Sequence, residues 1–144
     1  MNPPLIEVTM AILYQEGQFL MQLRDDFEHI VYPGCWGFFG GHCDPGEAAD
    51  ACIKRELLEE IGYVPPALSL FEQRADNVKK RSYYYGELMI PIHELQLNEG
   101  QDLALCSIED IRAGKKLSAR LGEVRSLGKP HRQTLLSFIE SDLF

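Results

Sequence analysis

At 144 residues, 45% hydrophobic and 25% charged, the chain has the size and composition of one globular domain, expected to span residues 1–144 and to bury roughly 70% of its unfolded surface. Its net charge of −8 at pH 7 argues against a general nucleic-acid binder, which presents a basic surface to phosphates, so an anionic substrate would have to arrive with its metal ions. The opening Met-Asn-Pro-Pro lacks the basic start and apolar core of a signal peptide, and no stretch approaches the ~18 apolar residues of a membrane span, which predicts a soluble, cytoplasmic protein with no membrane or nucleic-acid partner.

Residues 5 to 14, Leu-Ile-Glu-Val-Thr-Met-Ala-Ile-Leu-Tyr, are rich in strand formers. Gln15-Glu16-Gly17-Gln18 turns the chain into a second apolar run from Phe19 to Leu23, so a hairpin is predicted. Arg24 follows it directly, ahead of a polar loop opened by Asp25-Asp26. Residues 29 to 41 join a Pro33-Gly34 turn to an aromatic run that ends at Gly40-Gly41, where backbone can come close to another group. Trp36 and Phe38 are read as core. Pro45-Gly46 marks a turn, the absence of Gly and Pro from Glu47 to Ile61 predicts a helix of about four turns, and Gly62 supplies its left-handed exit. Glu47 then faces the positive end of the helix dipole, and Pro65-Pro66 keep the helix from resuming.

Residues 67 to 74 read as a strand, and Lys79-Lys80-Arg81 as a basic triplet in a polar connector, where Lys79 and Arg81 are candidates for phosphate contact. Residues 82 to 92 read as a further strand in which Tyr83, Tyr84 and Tyr85 point to alternate faces. One of the three is expected to line a base or sugar pocket; the pattern does not choose among them, and Tyr84 stands as the candidate. Leu135, Leu136, Phe138 and Ile139 form an apolar stripe on a closing helix. Cys35, Cys43, Cys52 and Cys106 include no pair two residues apart, which favours reduced packing thiols. His42 and Cys43 are adjacent but lack a matching pair, so zinc is not expected.

The central helix carries the chemistry. At about 100° per residue, Glu56, Glu59 and Glu60 fall on one face. At ~5 Å and an effective dielectric of ~20, each like-charged pair repels by roughly 3 kcal/mol before screening. Arg55, four residues before Glu59, can neutralise one carboxylate but not three. A divalent cation can, and carboxylate oxygens are the hard ligands that Mg²⁺ and Mn²⁺ prefer, with remaining positions open to water and substrate phosphates. The implied substrate is a polyphosphate.

Gly41, Glu47, Arg55, Glu56, Leu57, Glu59, Glu60, Gly62 and Tyr63 match, position for position, the signature of the Nudix hydrolases, and the chain resembles that family. With seven fixed residue types each near ~7% usage, a chance match is on the order of one in a million. The resemblance implies an α/β fold, the Nudix α/β/α sandwich with a mixed β-sheet between helices. It implies metal-dependent hydrolysis of the pyrophosphate bond in a nucleoside diphosphate linked to another group, as in a nucleoside triphosphate, nucleotide sugar or dinucleotide. The Gly41 carbonyl would join Glu56, Glu59 and Glu60 on Mg²⁺ or Mn²⁺, Arg55 would orient the glutamates, and Glu47 would fix the loop to the helix.

By similarity to the family's later segment, a loop glutamate before a strand and a Ser-initiated helix, Glu99 is an additional metal ligand or base, with Asp102 as its competitor and Ser107 with Asp110 as the helix cap. Glu56, Glu59 and Glu99 are all candidates for the proton acceptor. Basic residues near Arg24 would contact phosphates. Where the family often has Pro, this chain has Phe39, which bears on loop shape more than on chemistry. Neither the proline spacing of ADP-ribose hydrolases nor the tyrosine spacing of dinucleoside polyphosphate hydrolases is present. A homodimer is common in the family. The alternatives are a non-catalytic nucleotide-binding sensor, which would not need every glutamate, and an isomerase, for which no acid/base pair stands out.

Overall fold

The computed structural model describes residues 4–144; Met1 to Pro3, part of the start considered for a signal peptide, lie outside them. The predicted hairpin forms from β1 (Ile6–Gln15) and β2 (Gln18–Leu23). The two residues between them, Glu16 and Gly17, both have positive φ, the geometry that matches the twist of two paired strands. The aromatic run becomes two short strands, β3 (Trp36–Gly37) on β2 and β4 (Phe39–His42) on β1. β5 (Ser69–Ala75) and β6 (Lys79–Glu87) follow, and β6 lies parallel to β1 along its full length. β7 (Asp102–Cys106) pairs with β2. The sheet order is β3-β2-β1-β6-β5, with β4 on β1 and β7 on β2. One parallel pairing among antiparallel ones makes the sheet mixed, as expected.

Helix α1 (Ala49–Ile61) covers one face of the sheet. Ile53, Leu57 and Ile61 pack there against Ala11, Leu13 and Leu20. The opposite face is covered by α2 (Ile108–Ala113) and α3 (Lys129–Glu140), whose Ile111, Leu135 and Phe138 pack on Ile12, Phe19 and Trp36. A two-stranded ribbon, β8 (Lys115–Ser118) and β9 (Glu123–Ser126), joins α2 to α3. Each of the fully buried large side chains contributes roughly 1.5–3 kcal/mol of burial free energy. Trp36 and Phe38 are core residues, 0% and 3% exposed, as read from the sequence. Ser107 and Asp110 form the expected capping box at the start of α2. Among the described residues, no helix is long and apolar enough to cross a membrane.

Three boundaries differ most from expectation. The helix begins at Ala49 rather than Glu47, with Ala48 as an N-cap that makes no side-chain bond, because Glu47 is used by the preceding loop. Lys79, Lys80 and Arg81 are the first residues of β6 and not a connector; pairing with β1 holds them in the ladder although their side chains are polar. β6 ends at Glu87 instead of residue 92 because its partner β1 runs out at Gln15, whose side chain donates to the Leu88 and Ile90 carbonyls; Pro91 then leads into a 3-10 turn at Ile92–Glu94. Phe39, the departure from the family's usual proline, is 1% exposed and packs beneath α1. It fills core.

Candidate active site

The carboxylates are gathered by the Gly40-Gly41 segment of β4, which runs between β1 and α1. Gly40 has φ 143°, and a Cβ there would collide with the Thr9 carbonyl oxygen of the paired strand. At Gly41 a Cβ would lie 2.8 Å from the Glu56 carboxyl carbon and both its oxygens. Glycine at these two positions is therefore what lets the helix bring its acidic face onto bare backbone. Glu60 accepts the Gly40 N–H at 2.9 Å through Oε2 and is only 3% exposed. Burial, the hydrogen-bonded Glu99 carboxyl and the nearby charge of Glu56 push the Glu60 carboxyl well above its ordinary range. Burial also raises Glu56, opposed by Arg55 and reinforced by Glu59 and Glu99.

Arg55 ties the outer part of this cluster together. Its Nε donates to Glu47 Oε2 at 2.8 Å and its Nη2 to Glu47 Oε1 at 3.0 Å, a two-pronged pair with fixed orientation. Nη1 donates to both Glu59 oxygens at 3.3 Å, and Nη2 lies 3.2 Å from Glu56 Oε1 and donates to the His42 carbonyl at 3.2 Å. Glu47 also accepts the Asp44 N–H at 3.0 Å. The Arg55 hydrogen bonds and the Asp44 N–H hold its carboxyl down to about 2. Glu47 thus locks the 43–48 loop to α1. Glu59 is the most exposed of the helix glutamates, its side chain 59% accessible, and it faces Arg55 on the outer edge of the cluster.

Glu99 enters from the loop before β7. Its carboxyl lies near enough to Glu60 and Glu56 to raise both. The competitor Asp102 is engaged elsewhere: buried, it accepts the Ser118 hydroxyl at 2.7 Å and the Leu103 N–H at 2.8 Å.

On the α3 side of the sheet a cavity of about 560 Å³ opens beside this cluster, sharing Gly40, Gly41, His42 and Glu99 with it. Arg24, Lys79 and Arg81 line the cavity. Arg24 is braced by donating to the Val31 carbonyl at 2.8 Å, and Arg81 pairs with Asp76 at 3.3 Å. The substrate assignment to Tyr84 is corrected: that ring sits in the core under α1, and Tyr83 faces the cavity instead. The strand period of two explains the difference. Lys79, Arg81 and Tyr83 share one face of β6, and Tyr84 points to the other.

Arg74 and His131 also line the cavity, and neither was singled out from the sequence. Arg74 stacks over Tyr83 with its guanidinium carbon 4.8 Å from the ring centre. His131 accepts the Phe38 N–H through Nδ1 at 3.3 Å, and burial, aided by the charge of Arg24, lowers it to about 4. It is neutral near pH 7. Arg74 is brought there by the β5–β6 register, which sets it opposite Arg81. His131, 93 residues from Phe38, had no sequence signal.

The NUDIX domain family model matches residues 4–125. The CTP pyrophosphohydrolase of Escherichia coli strain K12 is 30% identical over 108 residues, covering 74% of this chain and 78% of that protein. Among solved structures, a MutT protein from Methanosarcina mazei Go1 superposes with a TM-score of 0.67 at 22% identity, covering 100% of this chain and 99% of that one. The NUDIX domain of Shewanella oneidensis NrtR, complexed with ADP ribose, superposes with a TM-score of 0.71 at 18% identity, covering 96% and 89%.

Proposed function

Since the chain is a pyrophosphohydrolase of the Nudix family, we propose that it hydrolyses the pyrophosphate bond of a nucleoside diphosphate linked to a further group, with nucleoside triphosphates as the leading class, in a reaction dependent on Mg²⁺ or Mn²⁺. The observation that carries this is the placing of Glu56 against Gly41 and of Glu60 on the Gly40 N–H, with Glu99 near both, on the rim of a cavity that also presents Lys79 and Arg81. The donor set is entirely oxygen, the chemistry that suits these cations. The Glu56 carboxyl occupies the space beside Gly41 that a Cβ would need, and the buried, mutually repelling carboxylates are stabilised by added positive charge. The Gly41 carbonyl with Glu56, Glu59, Glu60 and Glu99 would hold the ion. A divalent cation held there would supply positive charge to the pyrophosphate oxygens and make water more acidic.

The chain's own groups do the rest. Lys79 and Arg81, with Arg24, orient the phosphates from the cavity wall, and the Tyr83 and Phe38 rings offer apolar surface to the base. Glu56, whose carboxyl lies against Gly41, takes the proton of the attacking water as oxygen bonds to phosphorus and the bridging oxygen leaves with the departing group. Arg55 keeps Glu56 and Glu59 in register. A pure nucleotide sensor needs none of this duplication of carboxylates. The test is turnover of nucleoside triphosphates, nucleotide sugars and dinucleoside polyphosphates with Mg²⁺ or Mn²⁺, read by chromatography of the products. A nucleoside monophosphate and pyrophosphate from a triphosphate are expected. Binding without turnover across the whole panel would overturn the proposal in favour of a sensor.

A further inference from the structure

Beside the acidic cluster lies a second set of ligand-type atoms with different chemistry. Cys43 follows β4, its N–H held by the Glu7 carbonyl at 2.9 Å; Glu47 belongs to the loop; Cys52 is on α1 and 0% exposed. The thiol sulfurs and a Glu47 carboxylate oxygen all lie within 4.8 Å of one another. Cys52 Sγ is also 3.3 Å from Thr9 Oγ1 and 4.0 Å from the Gly41 carbonyl oxygen. Bonds of ~2.3 Å to sulfur and ~2.0 Å to oxygen place two ligands of one tetrahedral ion about 3.5 Å apart, so a shift of roughly an ångström closes this triangle around an ion. Both thiols are free. The zinc exclusion drawn from the sequence rested on the lack of a second ligand pair near His42-Cys43; the fold supplies Cys52 and Glu47, nine and four residues after Cys43.

We propose that Cys43, Glu47 and Cys52 form a site for a soft divalent cation, Zn²⁺ or Cd²⁺, and that its occupancy loosens the clamp of Arg55 on Glu47 and so slows hydrolysis. Two sulfurs select such ions over Mg²⁺, which prefers the all-oxygen cluster. On binding, each coordinated thiol releases its proton to solvent and each sulfur gives an electron pair to the ion, with no change of oxidation state. Glu47 is the link between the two sites. Both its oxygens are engaged with Arg55, and a carboxylate drawn toward an ion competes with those bonds. Arg55 then loses the anchor that aims it at Glu56 and Glu59.

The binding half stands on geometry alone, whereas the inhibition half rests on the hydrolase reading. The experiment separates them. Reduced protein, free of added thiols, is titrated with Cd²⁺ and the thiolate-to-metal charge-transfer absorption is followed in the ultraviolet. One equivalent is expected to give a two-thiolate band, weakened at least tenfold in affinity by Cys43→Ser and by Cys52→Ser and unchanged by Cys35→Ser. The half-exposed Cys43 keeps the test valid even if the buried Cys52→Ser variant does not fold. No band, or a band that Cys43→Ser leaves intact, overturns the site. Turnover in excess Mg²⁺ is then measured with one equivalent of Zn²⁺: slowing in the wild type that Cys43→Ser relieves supports the coupling, and equal rates with and without Zn²⁺ overturn it. A protein with no turnover in Mg²⁺ alone would count against the hydrolase reading and leave the absorption result standing.

Discussion

Replacing Glu60 with glutamine should make the metal-free protein more stable. Glu60 is 3% exposed, and burial, Glu99 and Glu56 raise its carboxyl above its ordinary value of 4.5. An acid with a raised pKa in the folded state adds stability fully below the unfolded-state pKa and loses it as the pH climbs toward the folded-state value. The penalty at pH 7 is capped, because the folded chain can take up a proton instead: ~2.5 pH units at about 1.4 kcal/mol each, or roughly 3 kcal/mol. Glutamine keeps an oxygen for the Gly40 N–H and can donate its amide to Glu99. Allowing for imperfect geometry, the expected gain is about 2 kcal/mol, or roughly 6 °C in Tm for a chain of this size. Thermal melts by circular dichroism in EDTA at pH 7 and pH 4.5 give the readout. The variant should melt above the wild type at pH 7, with the gap closing at pH 4.5, and should gain less from added Mg²⁺. A variant that melts below the wild type at pH 7, or a gap unchanged by acid, would refute the reasoning.

Three further outcomes are expected. Glu99→Gln should lower kcat by about 10²-fold or more, whereas Asp102→Ala should leave kcat within about threefold and lower stability by roughly 1–3 kcal/mol, the consequence of leaving the buried Ser118 hydroxyl with no acceptor for its hydrogen; steady-state kinetics and melts on both variants separate the roles. Lys79→Ala and Arg81→Ala should each raise KM by about five- to tenfold with little change in kcat, and the effect should shrink as ionic strength rises. Arg55→Ala should lower kcat, and it should also change the acid limb of the stability curve. Glu47 is held at about 2, so its stabilisation is present above about pH 4.5 and is lost as the pH falls toward 2; without Arg55, acid unfolding should begin at higher pH, followed by fluorescence of Trp36.

The helix and its cation-seeking face were legible because their signals are local. Three glutamates within five positions, no helix breaker for fifteen residues and a glycine exit fix α1 without reference to the remainder of the chain. The hairpin was legible for the same reason. The cavity was not, because it is assembled from β1, β6, the 24–32 loop and the start of α3, and no single stretch records that meeting. Tyr83 illustrates a signal that was available: once Lys79 and Arg81 are placed on one face of a strand, period two selects Tyr83 over Tyr84. A connector carries no such constraint. Polar residues at the start of β6 conceal a strand whose registry is set by β1. His131 and the Cys43–Glu47–Cys52 group depend on tertiary contact alone.

The claim on which the account turns is that Gly41, Glu56, Glu59, Glu60 and Glu99 together hold a divalent cation. Electron paramagnetic resonance counts free Mn²⁺ directly, so titrating the wild type, Glu56→Gln and Asp102→Ala with Mn²⁺ measures that claim without any choice of substrate. The wild type and Asp102→Ala should bind Mn²⁺ alike, and Glu56→Gln at least tenfold more weakly, with Mg²⁺ displacing the bound ion. Equal Mn²⁺ affinity in the wild type and Glu56→Gln would contradict it.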